Sequence, residues 1–316
     1  MPHSAAATVR GRTGFFFLRT LCGAAGLAVA ILSARAWGQA KPAPKPQDSH
    51  QVVAINPNSP PQADWIQELD KKYPGLLAEF ANLQARLQKE IQLPGPRLQS
   101  KLLPLLPDST MFYVAIPNYG DSVHQALQIV DQELKESNVL RDWFQHSDIA
   151  SSWPKIELAL NKGYELSEYL GDEVVISASM NGKEPALLVL AEARKPGIKA
   201  LIPQMEKLVD EKATPSLRVV DPQELMALKN TLLGPVVLVR SDIVALGSDV
   251  ATLRNFNSQS QATNGKFVAT ELGDRLVQGY HDGAVLLSGV DLQKLISEIP
   301  LKSAEERAVF DSLGIG

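Results

Sequence analysis

The sequence predicts an α+β fold: a mixed, largely antiparallel sheet built from hairpins, with helices packed on one face and an N-terminal helical hairpin ahead of it. Three observations predict it. Asn181-Gly182 stands between two runs of β-branched and aliphatic residues, Glu173 to Met180 and Pro185 to Glu192, and both turn residues tolerate the positive φ of a tight hairpin. A second pair of apolar runs, Val236 to Val239 and Ile243 to Leu246, flanks Arg240-Ser241-Asp242. After the first hairpin, Ile198, Leu201, Ile202, Met205, Leu208 and Val209 recur at helical spacing. Hairpins supply antiparallel neighbours and strand-to-helix units cover one face, which favours α+β over a doubly wound sheet.

The 316-residue chain opens with a segment that stands apart from the fold. Arg10, Arg12 and Arg19 give a basic start, Leu21 to Leu32 an apolar run, and Ala34-Arg35-Ala36 or Gly38-Gln39-Ala40 small residues for cleavage, so residues 1–40 read as a secretory signal peptide. The run is shorter than the ~20 residues that span a bilayer, and a retained N-terminal anchor is the alternative and the one route to membrane contact. Four arginines and no acid leave with the signal, so 27 basic side chains remain against 35 acidic ones, a net charge of −8. A surface that acidic excludes nucleic acid as a partner. The single cysteine, Cys22, leaves too, and a periplasmic or secreted domain without disulfides depends on a packed core.

Residues 41–62 hold Pro42, Pro44, Pro46, Pro57, Pro60 and Pro61 among small and polar residues, the composition of an extended spacer. Residues 63–93 read as a helical hairpin. Pro74-Gly75 divides a short helix with Trp65, Ile66 and Leu69 from a longer one with Leu76, Phe80, Leu83, Leu87 and Ile91 on one stripe. Residues 94–316 form the α+β body. It opens with the strand Met111 to Ile116 and a helix capped by Asp121, followed by helices at Val139 to Phe144 and at Pro154 to Tyr169, the last with proline in its first turn. Behind the first hairpin and its helix come a strand at Leu217 to Val220, a short helix opened by Asp221-Pro222, the second hairpin, and a helix capped by Ser248-Asp249. A polar loop from Asn257 to Lys266 leads to a helix with Leu272, Leu276, Val277 and Tyr280, then a strand at Ala284 to Leu287 and a helix at Asp291 to Ile299. A capping box at Ser303 and Glu306 opens the last helix. The order strand, helices, hairpin, helix occurs twice and starts a third time, an internal repeat whose third copy lacks its hairpin. If two further strands follow in a longer chain, Ala284 to Leu287 should be an open sheet edge. Pro203 should kink its helix or mark its true first turn, and Lys183 and Glu184 should be solvated.

The chemistry that can be sought in a sequence is mostly absent. There is no Walker loop or dinucleotide fingerprint after a predicted strand, so no cofactor is expected. The four histidines after the signal, His50, His124, His146 and His281, have no metal-ligand spacing, and no metal site is expected. Ser152-Trp153-Pro154-Lys155 matches S-x-x-K, but the companion S-D-N and K-T-G elements are missing and Pro154 interrupts the turn. Neighbouring carboxylates such as Asp172-Glu173 point apart on a strand. No catalytic residue is assigned. The best binding-site candidate is an aromatic-lined groove where polar caps and exposed rings converge: Tyr113, Pro117, Asn118, Tyr119 and Asp121.

Several segments carry a resemblance: Leu103-Pro104-Leu105-Leu106-Pro107, Phe112-Tyr113, Pro117-Asn118-Tyr119-Gly120-Asp121, Tyr169-Leu170-Gly171-Asp172-Glu173, Arg194-Lys195-Pro196-Gly197, Asp221-Pro222-Gln223-Glu224-Leu225, Ala251-Thr252-Leu253-Arg254 and Asp291-Leu292-Gln293-Lys294. In these the chain resembles a group of uncharacterised exported bacterial proteins built from repeated strand, helix and hairpin units. The resemblance implies the architecture and a chain continuing past the equivalent of Gly316, and it brings no activity, ligand or catalytic residue. Pro203 and Gly273 depart from its pattern. The function expected is non-enzymatic binding or scaffolding in the bacterial cell envelope, with an envelope protein or a small molecule as partner. The alternatives are an envelope hydrolase acting on peptide or glycan and a carrier of apolar small molecules.

Overall fold

The computed structural model describes residues 68–181, 184–209, 217–229, 234–262 and 265–298. The expected signal peptide and spacer, Trp65, Ile66, the Gly182-Lys183 tip and the Ser303 capping box lie outside them. The described residues divide into two compact units, one with 68–92 and 122–161, the other with 93–121 and those from 162 to 298.

The first unit is helical. A helical stretch over 68–72 turns through Gly75, at a φ of 87° that favours glycine, into α1 (Leu76–Glu90). Tyr73, Leu76 and Leu140 are buried together, with Leu69, Phe80, Leu83, Leu134, Val139 and Trp143 packed around them. The edge of Trp143 meets the Phe80 ring at 4.8 Å between centroids. Leu134 belongs to α2 (Gly120–Glu136) and Trp143 to α3 (Asn138–Gln145), which Ser137 caps by accepting the Leu140 N–H. Arg86 of α1 reaches Glu133 at 2.7 Å and Gln132 at 3.0 Å. The next helix, α4, runs Asp148–Ser167 and so begins six residues before Pro154, where the sequence suggested its start. In the second turn proline forfeits one helical hydrogen bond, and the edge-on contact of Phe144 with Trp153, 5.5 Å apart, holds that turn in place. The turn between Ser152 and Lys155 that Pro154 was expected to interrupt therefore exists, but both residues are exposed.

The second unit is built on one seven-stranded sheet: β1 (Thr110–Pro117), β2 (Leu170–Asn181), β3 (Glu184–Ala193), β4 (Arg218–Val220), β5 (Val236–Val239), β6 (Ile243–Gly247) and β7 (Leu287–Val290). Their spatial order is β4-β5-β6-β3-β2-β1-β7, antiparallel throughout except for the parallel pair β4–β5. This is the mixed, largely antiparallel sheet of an α+β fold. The two runs of the repeated order differ in strand sense, since β1 lies antiparallel to its hairpin and β4 parallel to its own.

Alternation decides which side each residue takes. Tyr113 and Ala115, Val175, Leu188 and Leu190, Ile243 and Ala245, and Val236 and Leu238 face one side and are buried. Over them lie Val250, Leu253 and Phe256 of α7 (Val250–Ala262) and Leu272, Leu276 and Tyr280 of α8 (Glu271–His281), with Phe267 and Leu102, Leu103 and Leu106 from the connecting segments. Two further helices are α5 (Ile198–Val209) and α6 (Pro222–Ala227), the latter sending Leu225 into the same core. The helix α9 (Leu292–Glu298) follows β7.

Four expectations change in detail. Pro203 lies in the second turn of α5 and does not open it. Helix α7 runs on to Ala262 through what was read as a loop from Asn257, and Ser258 and Ser260 bond carbonyls three residues back. Gly273 keeps α8 regular: a Cβ there would meet the Phe267 carbonyl oxygen at 2.0 Å, so only glycine allows this close approach. The strand expected at Ala284 starts at Leu287, because Ala284 instead exchanges backbone hydrogen bonds with Arg97. Among the described residues it is nonetheless an edge strand, pairing with β1 on one side only.

The caps predict a pH dependence. Hydrogen bonds hold Asp221 below the usual carboxylate range, the Glu224 N–H first and Lys199 next, and Glu224 is lowered by Lys199 and by the Asp221 N–H. Burial acts to raise Asp249, but the Thr252 N–H and the hydroxyls of Thr252 and Ser248 outweigh it and leave its pKa lowered. All three are depressed in the folded state. Their stabilisation is therefore full above the unfolded carboxylate range, near pH ~4, and is lost as pH falls through the folded values. The urea midpoint should fall on acidification below pH ~4. Asp249→Asn, which keeps a capping oxygen but carries no charge, should reduce that fall, and an unchanged pH profile in this variant would refute the assignment.

Candidate functional site

The five residues expected to form a groove serve mainly to hold the sheet. Tyr113 is completely buried in the core and Pro117 is buried at the end of β1, which corrects the expectation of exposed rings at this place. Asn118 is a fastener: its amide donates to the carbonyls of Ser167 (2.8 Å) and Gly171 (3.0 Å), its side-chain oxygen accepts from the Gly120 N–H (3.1 Å), and its backbone N–H donates to Asp172. Tyr119 is half-buried, and burial raises its phenol against a smaller opposing pull from Arg97. Asp121 is exposed in the first turn of α2. Asn118 and Tyr119 flank the β1–α2 junction, while Tyr113 points into the core.

What Tyr113 joins is a buried polar chain that sequence reasoning missed. Glu173 of β2, 5 % exposed, accepts from Arg97 Nη1 (2.7 Å), from the Tyr280 hydroxyl (2.8 Å) and from the Ser100 hydroxyl. The Tyr280 proton is thereby committed, so across the 2.7 Å contact between the two hydroxyls Tyr113 must be the donor. Arg97 also donates to the Val285 carbonyl and lies over the Tyr280 ring. Burial, more than the neighbouring carboxylate, pushes Tyr280 up to about 12 and Tyr113 further still, so both phenols stay protonated. One signal was present: Glu173 is in phase with Val175 and Ser177, an acid at a core position. The partner could not be read, since Arg97 lies 76 residues away. Largely closed off from solvent and with its carboxylate already bonded three times, this cluster binds elements together.

A cleft of about 800 Å³ opens between the loop that ends β3 and the β5–β6 turn, lined by Arg194, Lys195, Lys199, Arg240, Ser241 and Asp242. Its cations are already paired: Arg194 with Asp172, Lys195 with Glu168 (3.7 Å), Lys199 with Asp221 (2.9 Å) and Glu224 (2.7 Å), and Arg240 with Asp242 (2.8 Å). Hydrogen bonds from Lys199 to Glu224, then Asp221, raise its pKa and hold it protonated, so it is no general base for Ser241. Among the described residues no three His, Cys, Asp or Glu side chains gather as a metal site, and no helix is long and apolar enough to cross a membrane.

The side of the sheet opposite the core is the more unusual surface. In register across the strands it carries Val290, Phe112, Ala178 and Leu187 in one row, Val114, Ile176, Val189 and Leu246 in the next, and Ile116, Val174, Ala191 and Val244 in a third. These twelve are apolar, with Ser288 of β7 beside Val114 the polar exception in the three rows, where a solvated face would alternate to polar residues. Leu187 is 45 % exposed, Val290 42 % and Phe112 36 %, so the first row is open to solvent. The sequence already held this signal, because β1 and β3 read as near-continuous apolar runs and not as strict alternations.

No protein-family model, curated protein or solved structure matches the chain.

Proposed function

We propose that this is an extracytoplasmic binding or scaffolding protein of the bacterial cell envelope, acting by contact and not by catalysis. The observation that supports this reading is the apolar outer row Val290, Phe112, Ala178 and Leu187, because contiguous exposed apolar surface on a folded domain marks an interaction site. A signal peptide over residues 1–40 and a Pro-rich spacer over 41–62 would deliver and hold such a body away from a membrane or a cleavage site. The partner is an envelope protein with an apolar surface of its own.

The experiment is capture from envelope extract by the purified exported chain, set beside its Leu187→Lys variant. Leu187 is exposed, so the substitution leaves the core intact. A protein retained by the parent chain and lost by about tenfold or more with Leu187→Lys is expected, since a lysine in the centre of an apolar contact costs more than 1.4 kcal/mol. Equal capture by both, or capture by neither, refutes the proposal.

A further inference from the structure

We draw no further inference here: the strongest candidate, the cleft between the loop that ends β3 and the β5–β6 turn, carries nothing because its cations Arg194, Lys195, Lys199 and Arg240 are already paired with Asp172, Glu168, Asp221, Glu224 and Asp242, so their charge points to no ligand.

Discussion

Replacing Glu173 with alanine is expected to lower the stability of the sheet unit by about 3–5 kcal/mol, the range seen when one partner of a buried ion pair is removed. The carboxylate accepts from Arg97, Ser100 and Tyr280 at once. Without it the Arg97 guanidinium keeps only carbonyl partners in a largely dry site, and the Tyr280 proton has no acceptor while Tyr113 still donates to the same oxygen. Tyr280→Phe and Tyr113→Phe act on one chain of hydrogen bonds, so their combined cost should fall short of the sum of the two. The readout must be far-UV circular dichroism in urea. Among the described residues the tryptophans are Trp143 and Trp153, both in the helical unit, and fluorescence would follow that unit instead. A loss of less than about 1 kcal/mol for Glu173→Ala would mean that the pair holds nothing together.

Local physics was legible and distant pairing was not. Both hairpins were read from residues a few positions apart, because turn chemistry and β-branched runs act within one short segment. The cap Asp221 and its box partner Glu224 belong to the same class of signal. The start of α4 was missed because it depends on Trp153 meeting Phe144, a tertiary contact that outweighs proline's preference for a first turn. The strand β7 was displaced by three residues because Arg97, far away in sequence, takes the backbone groups of Ala284. The candidate groove failed for a related reason: Tyr113 and Tyr119 are six residues apart, but strand alternation sends Tyr113 into the core. Exposure cannot be told from residue type alone, whereas an acid in phase with the core, as at Glu173, is a signal that a reading by alternation can use.

Phe256→Ala should cost the sheet unit about 3–5 kcal/mol, comparable to the loss of the ion pair but by a different route. Phe256 is 1 % exposed on α7, which lies over the core face of the sheet beside Leu253 and Val250. Truncation removes an aromatic ring from the layer where the helix meets β3 and β6, and the surrounding strands are tied by paired hydrogen bonds that prevent them from closing the cavity. Phe256→Leu leaves most of the volume filled and should cost only about 1–2 kcal/mol. The contrast separates packing from polarity: at Glu173 a smaller apolar residue leaves donors unpaired, whereas at Phe256 no polar group is involved and the loss scales with the volume removed. For the alanine variant the urea midpoint should drop by on the order of 1–3 M, given the usual dependence of stability on denaturant. Equal losses for the leucine and alanine variants would show that ring-specific contacts, and not the cavity, hold α7 on the sheet.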